Sequence, residues 1–253
     1  MLAAVMAVVL SGCQSAPVED APQAAGPPDF SGVWTWFSTG PGRADPAASW
    51  PRDPPFTPEA REKVAAYRAL VTPTGDTPGG HCVGTGMPGS MLGSGGYPME
   101  IIQRPEQITI IYEAHTEIRR IYIGGPKVDP ADQVPSRNGY STGRWEGDTL
   151  VVETAFLKEQ VDQAAAHSEE ATIVERYRLG TSEKGEKLLT AELTLTDPRF
   201  YTQPVTVTKR WRALENGRMM LYECSEPEWE DHLESLRQKS NQKSNQESKE
   251  PAK

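Results

Sequence analysis

The clearest pattern in the chain has a period of two. Leu189, Ala191, Leu193 and Leu195 alternate with Thr190, Glu192, Thr194 and Thr196. Successive side chains of an extended strand point to opposite faces, so this segment has one packed face and one wet face. Similar runs, rich in β-branched and aromatic residues, occur at Met99–Gln103, Gln107–Glu113, Glu117–Ile123, Tyr140–Trp145, Thr149–Thr154, Thr172–Arg178, Lys187–Thr196, Pro204–Arg212 and Arg218–Glu223. With Ser31–Ser38 they predict about ten strands. Arg104-Pro105-Glu106, Glu146-Gly147-Asp148 and Glu215-Asn216-Gly217 place Pro or Gly where the backbone must reverse, which is hairpin chemistry. Strands joined this closely leave no room for crossover helices, so the pattern predicts an all-β fold, an antiparallel barrel or sandwich.

One segment keeps a helical stripe instead. Thr57 suits the capping position and Pro58 the first helical position, and Ala60, Val64, Tyr67 and Val71 share a face. The helix should end between Val71 and Pro73. From Gly75 to Pro98 glycines are frequent and anchoring side chains few, which predicts a long inserted loop that works as a lid.

The two ends follow neither period. Met1 to Leu10 are apolar and uncharged, and Ser11, Gly12 and Cys13 follow, the layout of a bacterial lipoprotein signal over residues 1–12. A diacylglycerol joins the Cys13 sulfur, and small residues before it let a peptidase reach the backbone. Acyl chains of that kind hold a protein to a bilayer without a polypeptide span, and no apolar run here reaches the roughly 20 residues a span requires. Residues 13–28 are rich in Ala and Pro and read as a tether, residues 29–233 as the folded body. Gln238-Lys239-Ser240-Asn241 is repeated at Gln242–Asn245, and residues 234–253 read as a disordered tail.

Composition narrows the partners. The net charge is -9, the wrong sign for gripping a phosphate backbone, so nucleic acid is not expected as a partner. Once Cys13 is lipidated, Cys82 and Cys224 are the remaining cysteines, and an exported chain meets an oxidising compartment, which predicts a disulfide between them. None of the four histidines, His81, His115, His167 and His232, sits at a zinc-binding spacing, so no metal is expected. Gly84, Gly86 and Gly89 match a dinucleotide fingerprint only by spacing, since they neither follow a strand nor open a helix, and no cofactor is expected.

Ser31-Gly32-Val33-Trp34 opens the first strand and Lys209-Arg210-Trp211-Arg212 closes a late one. The pairing resembles the lipocalin-like (calycin) barrels, in which a Gly-x-Trp tryptophan plugs the barrel base under an arginine from the last strands. The resemblance implies Trp34 as plug and Arg210 or Arg212 as its cover. The wider layout, from Gly32-Val33-Trp34 through Tyr97 to Gln103 and Gly143 to Val152 as far as His167-Ser168-Glu169, is similar to a broad family of uncharacterised exported bacterial lipoproteins. Gln14 after Cys13, rather than an aspartate, resembles lipoproteins sorted to the periplasmic face of the outer membrane.

Two functions are compatible with these residues. In the first, the barrel holds a small, mostly apolar ligand in a cavity lined by Tyr112, Tyr122, Tyr140 and Trp145. In the alternative the protein is a cofactor-free lyase, isomerase or hydrolase. His167 would serve as base, Glu169 or Glu113 as the carboxylate that orients it, and Arg120 as anion binder. The plainer account of the same residues makes Glu169 solvated and pairs Arg119 with Glu117 on the surface.

Overall fold

The structure is a computed structural model that describes residues 26–40, 43–44, 48–93, 96–125, 129–226, 228, 230–235 and 237–238. Cys13, the signal and most of the expected tether and tail lie outside the described residues. The strands are β1 (Gly32–Trp36), β2 (Ser38–Gly40), β3 (Arg43–Ala44), β4 (Met99–Gln103), β5 (Gln107–Tyr112), β6 (Glu117–Ile123), β7 (Tyr140–Glu146), β8 (Thr149–Ala155), β9 (Thr172–Thr181), β10 (Lys187–Thr196) and β11 (Val205–Ala213). Two α-helices, α1 (Pro58–Val71) and α2 (Gly89–Gly93), lie between β3 and β4. Thr57 caps α1 as expected, its hydroxyl accepting from Ala60 N at 3.3 Å, and Ala60 and Val64 are the buried members of its stripe.

Nine of these strands close a barrel in the order β1-β11-β10-β9-β8-β7-β6-β5-β4, with β1 paired to both β11 and β4. The walls come from hairpins where Pro and Gly mark them: Arg104 N and Gln107 N each bond the other's carbonyl between β4 and β5, and Gly147, at φ 62°, turns β7 into β8. The longest ladder joins β9 to β10 over ten residue pairs, from Lys187↔Thr181 to Thr196↔Thr172.

Two expectations are corrected. The barrel is not wholly antiparallel, because β6 and β7 run parallel. The connection 124–139 is long enough to return along the barrel before β7 begins, as a parallel pair demands. Nor are there ten barrel strands. Residues 218–223 belong to no strand: β1 pairs with both β11 and β4, so the edge of β11 that they would have joined is already taken.

The barrel axis is occupied by side chains. Trp34, Ile101, Ile110, Ile121, Leu150, Val152, Ile173, Leu189, Ala191 and Leu193 are all buried, each from the inward phase of its strand. Trp34 is buried in the barrel, its indole N–H donating to Phe30 O at 2.8 Å. Its cover is not Arg210. Lys187 Nζ lies 5.5 Å from the Trp34 ring, whereas the Arg210 guanidinium lies 4.8 Å from Phe37. On β11, Lys209 and Trp211 belong to the inward phase, so Arg210 and Arg212 turn outward, and the neighbouring strand supplies the cation.

Candidate ligand site at the barrel mouth

The segment after α1 is anchored rather than loose. Met87 and Met91 are fully buried and enter the core from the open end of the barrel, so this loop is a plug, not the sparsely anchored lid its glycines suggested. A methionine fills irregular gaps well, being long, unbranched and polarisable. The backbone is held by polar side chains from distant elements. Glu117, at the start of β6, accepts from Thr85 N (3.0 Å), Gly86 N (2.9 Å) and Ser90 Oγ (2.5 Å). Arg137 donates to Gly84 O at 2.7 Å and pairs with Asp162 at 2.7 Å, and Gln160 donates to Thr85 O at 2.8 Å. Gly86, at φ 72°, leaves no room for a Cβ, which would lie 2.6 Å from Arg137 O. The predicted disulfide is present: Cys82 and Cys224 join with Cα atoms 5.4 Å apart.

Beneath the plug lies a buried charge pair. Arg119 and Glu175 face each other inside the barrel, both inaccessible to solvent, and make a two-point ion pair through Nη1 and Nη2. The arginine also donates to Ser141 Oγ and Thr154 Oγ1, and Tyr177 donates to Glu175 at 2.7 Å. Burial opposes the guanidinium's charge, but the Glu175 carboxylate outweighs it and holds the Arg119 pKa above its ordinary value. Burial pushes the Tyr112 and Tyr177 hydroxyls upward, so both stay neutral; Tyr177 donates to Glu175, and the Tyr112 hydroxyl is buried without a hydrogen-bond partner among the described residues. Tyr177 Oη lies 3.7 Å from Met91 Sδ, which joins the network to the plug.

Above these groups a cavity of about 570 Å³ opens at the mouth. Its aromatic walls are Trp36 from the end of β1, Trp50, Tyr97 and Trp211 from β11; Met91 and Leu92 of α2 complete the apolar lining. Trp36 and Tyr97 are partly exposed, so they stand at the rim. Ser49, Thr85, Asp162, Gln163 and Lys209 are its polar lining. Lys209, also on the inward phase of β11, donates to Leu92 O at 3.1 Å, and Gln163 donates to the Met87 carbonyl at 3.3 Å.

The structure separates the residues proposed for catalysis. His167 is wholly buried, and its Nδ1–H donates to Ala165 O at 3.0 Å, an assignment that follows from the carbonyl partner. Burial lowers its pKa, so it is neutral in the folded chain. Glu169, two residues on, is exposed, and the ring's hydrogen bond goes to Ala165 O and not to it. Glu113 accepts instead from Met220 N at 2.6 Å, and Arg120 points to the outside of β6. These four side chains share no hydrogen bond or ion pair, so a His-carboxylate-arginine centre has no geometric support. His115 is likewise committed, packed at a tilt against Tyr222 with ring centroids 4.9 Å apart and planes 59° apart.

The proposed cavity aromatics are also dispersed. Tyr112 is inside the barrel, Trp145 packs on Phe30 at the closed end, and Tyr122 and Tyr140 stack on one another along the outer wall. The mouth uses Trp36, Trp50, Tyr97 and Trp211 instead. Arg119 and Glu175 were readable from period two, since Arg119 shares a phase with Ile121 and Glu175 with Ile173 and Tyr177. The mouth aromatics carry no comparable signal, because three of the four lie at a strand end or in a loop. Against known proteins, the chain matches no protein-family model and no curated sequence.

Proposed function

We propose that this protein is a lipid-anchored envelope protein of lipocalin-like type that binds a small, mostly apolar ligand at the mouth of its barrel. The supporting observation is the mouth cavity itself: about 570 Å³, walled by four aromatic side chains and closed below by Met91. That volume is typical of small-molecule sites, which are mostly apolar with a few polar groups that orient the ligand. The ligand lies above the plug, since the axis below it is filled by side chains. The Cys82–Cys224 disulfide supports residence in an oxidising compartment, in keeping with acylation at Cys13 and the periplasmic face of the outer membrane.

The test is a tryptophan-fluorescence titration of the full chain with a panel of apolar compounds, paired with thermal melts. Binding quenches or shifts the emission of Trp36, Trp50 and Trp211 and raises the melting temperature with ligand concentration. Leu92→Trp fills the cavity from α2 and abolishes the response while the melt remains cooperative. A panel that gives no saturable response, or a Leu92→Trp variant that still binds, overturns the reading. Metabolic labelling with a radioactive fatty acid tests the anchor; label that persists in Cys13→Ala excludes it.

A further inference from the structure

The barrel wall has a weak seam where β6 meets β7. Their parallel ladder consists of Ile121↔Ser141, Tyr122↔Thr142 and Ile123↔Gly143. From Glu117 to Arg120, therefore, β6 has β5 on one side and no strand on the other. Strands that meet over so short a stretch and then diverge leave a recess, and one of about 370 Å³ lies there. Arg120 and Tyr122 line it from β6, Gln133, Ser136 and Asn138 from the connection, and Tyr140 from the start of β7.

Period two divides the paired arginines of β6 between different environments. Arg119 turns inward and spends its donors on Glu175, Ser141 and Thr154. Arg120 turns outward, is exposed, and makes no hydrogen bond or ion pair among the described residues. On the neighbouring outer surface Arg144 and Arg176 are tied to Glu146, and Arg144 also to Glu153. Beside Arg120, the rings of Tyr122 and Tyr140 stack with centroids 5.3 Å apart and planes 23° apart. The recess thus combines a planar guanidinium with its donors open, a fixed aromatic wall, and amide and hydroxyl groups opposite.

We propose that this recess is a second binding site, separate from the mouth cavity, and that it takes a small hydrophilic carboxylate of the hydroxy-acid class. A carboxylate matches the guanidinium fork with two parallel hydrogen bonds. The hydroxyl of such a ligand meets the polar groups of Gln133 and Ser136, and its short carbon skeleton lies against the tyrosines. The polar lining disfavours the apolar occupant of the mouth, because its polar groups would lose water without gaining a partner. Phosphate fits less well. Among the described residues lining the recess, Arg120 is the cation without an ion pair, and the Arg119 charge is balanced by Glu175.

Calorimetric titration of the full chain with lactate and malate tests this site. Saturable binding is expected, weakened at least about tenfold by Arg120→Gln, the loss of a charge-assisted hydrogen-bond pair. Tyr140→Ala weakens it less, and Leu92→Trp at the mouth leaves it unchanged, which separates failure here from failure of the mouth site. Circular dichroism confirms that the outward-facing Arg120→Gln and Tyr140→Ala variants fold. No saturable binding up to about 10 mM, a range that covers weak sites, overturns the proposal. So does binding that survives Arg120→Gln, or inorganic phosphate that binds as tightly as the carboxylates.

Discussion

The β9–β10–β11 wall and the plug over residues 82–93 are both fully part of the fold, yet they are held in different ways. The wall is a continuous backbone ladder, with inward Leu189, Ala191, Leu193 and Leu195 and outward threonines and Glu192. Along β10 each of these residues states its orientation through its hydrophobicity, while Glu175 of β9 and Lys209 of β11 face inward despite their charge. The plug has almost no ladder. Its place depends on the Glu117 carboxylate, the Arg137 guanidinium, Gln160 and a disulfide, every one of them distant in sequence. The wall therefore spreads its stability over a backbone ladder and many apolar side chains, the buried Arg119–Glu175 pair apart, whereas the plug concentrates its stability in a few polar groups, and the candidate ligand cavity lies on the plug side. The Arg119–Glu175 pair lies between the two regions, on the wall but in contact with the plug through Tyr177 and Met91.

The largest test of this contrast is Arg119→Met. It leaves Glu175 buried opposite an apolar side chain, and losing one partner of a buried pair costs about 3–5 kcal/mol. A chemical denaturation curve measures the loss. The double variant Arg119→Met with Glu175→Leu should recover most of it, because the desolvated carboxylate is gone; a double variant as unstable as the single one would show that the pair sets the wall's geometry rather than merely balancing charge.

A smaller effect is expected from Glu117→Gln on the plug side. The substitution retains one acceptor oxygen but loses the charge that serves two backbone N–H groups and Ser90, so about 1–3 kcal/mol is lost. If the contrast holds, this loss appears as reduced hydrogen-exchange protection at Thr85, Gly86 and Ser90, with β9–β10 protection unchanged. Uniform loss across the barrel would break the distinction.

The subtlest test uses pH. His167 lies beside Gln160, which grips the plug, the two residues exchanging backbone hydrogen bonds at 2.8 and 2.9 Å. Burial holds the His167 pKa below its ordinary value of 6.5, so the unfolded chain takes up this proton before the folded one does. Its contribution to stability is complete above 6.5 and falls as the pH drops through that value toward the lower folded pKa. Melting temperatures should therefore decline from about pH 7.5 to about pH 5.5, and less steeply in His167→Asn, whose amide keeps a donor for Ala165 O. A decline of equal slope in the variant would assign the effect to other groups.

The sequence alone determined the segments of the nine barrel strands, the hairpins at Arg104–Glu106 and Glu146–Asp148, the capped helix and the Cys82–Cys224 bond, because each depends on local chemistry or on simple cysteine arithmetic. The inward burial of Arg119 was also written in its phase, shared with Ile121, although charge alone pointed equally to Arg120. Tertiary structure decided the rest. Whether 124–139 returns to give a parallel pair depends on where a chain end meets a sheet edge, and closure through β1 denied residues 218–223 a partner for the same reason. The position of the plug, and with it the mouth cavity, arises from Glu117, Arg137, Gln160 and the disulfide converging across a wide separation along the chain. Local pattern cannot encode that convergence, because a carboxylate's partners are chosen by distance in space and not by spacing in sequence.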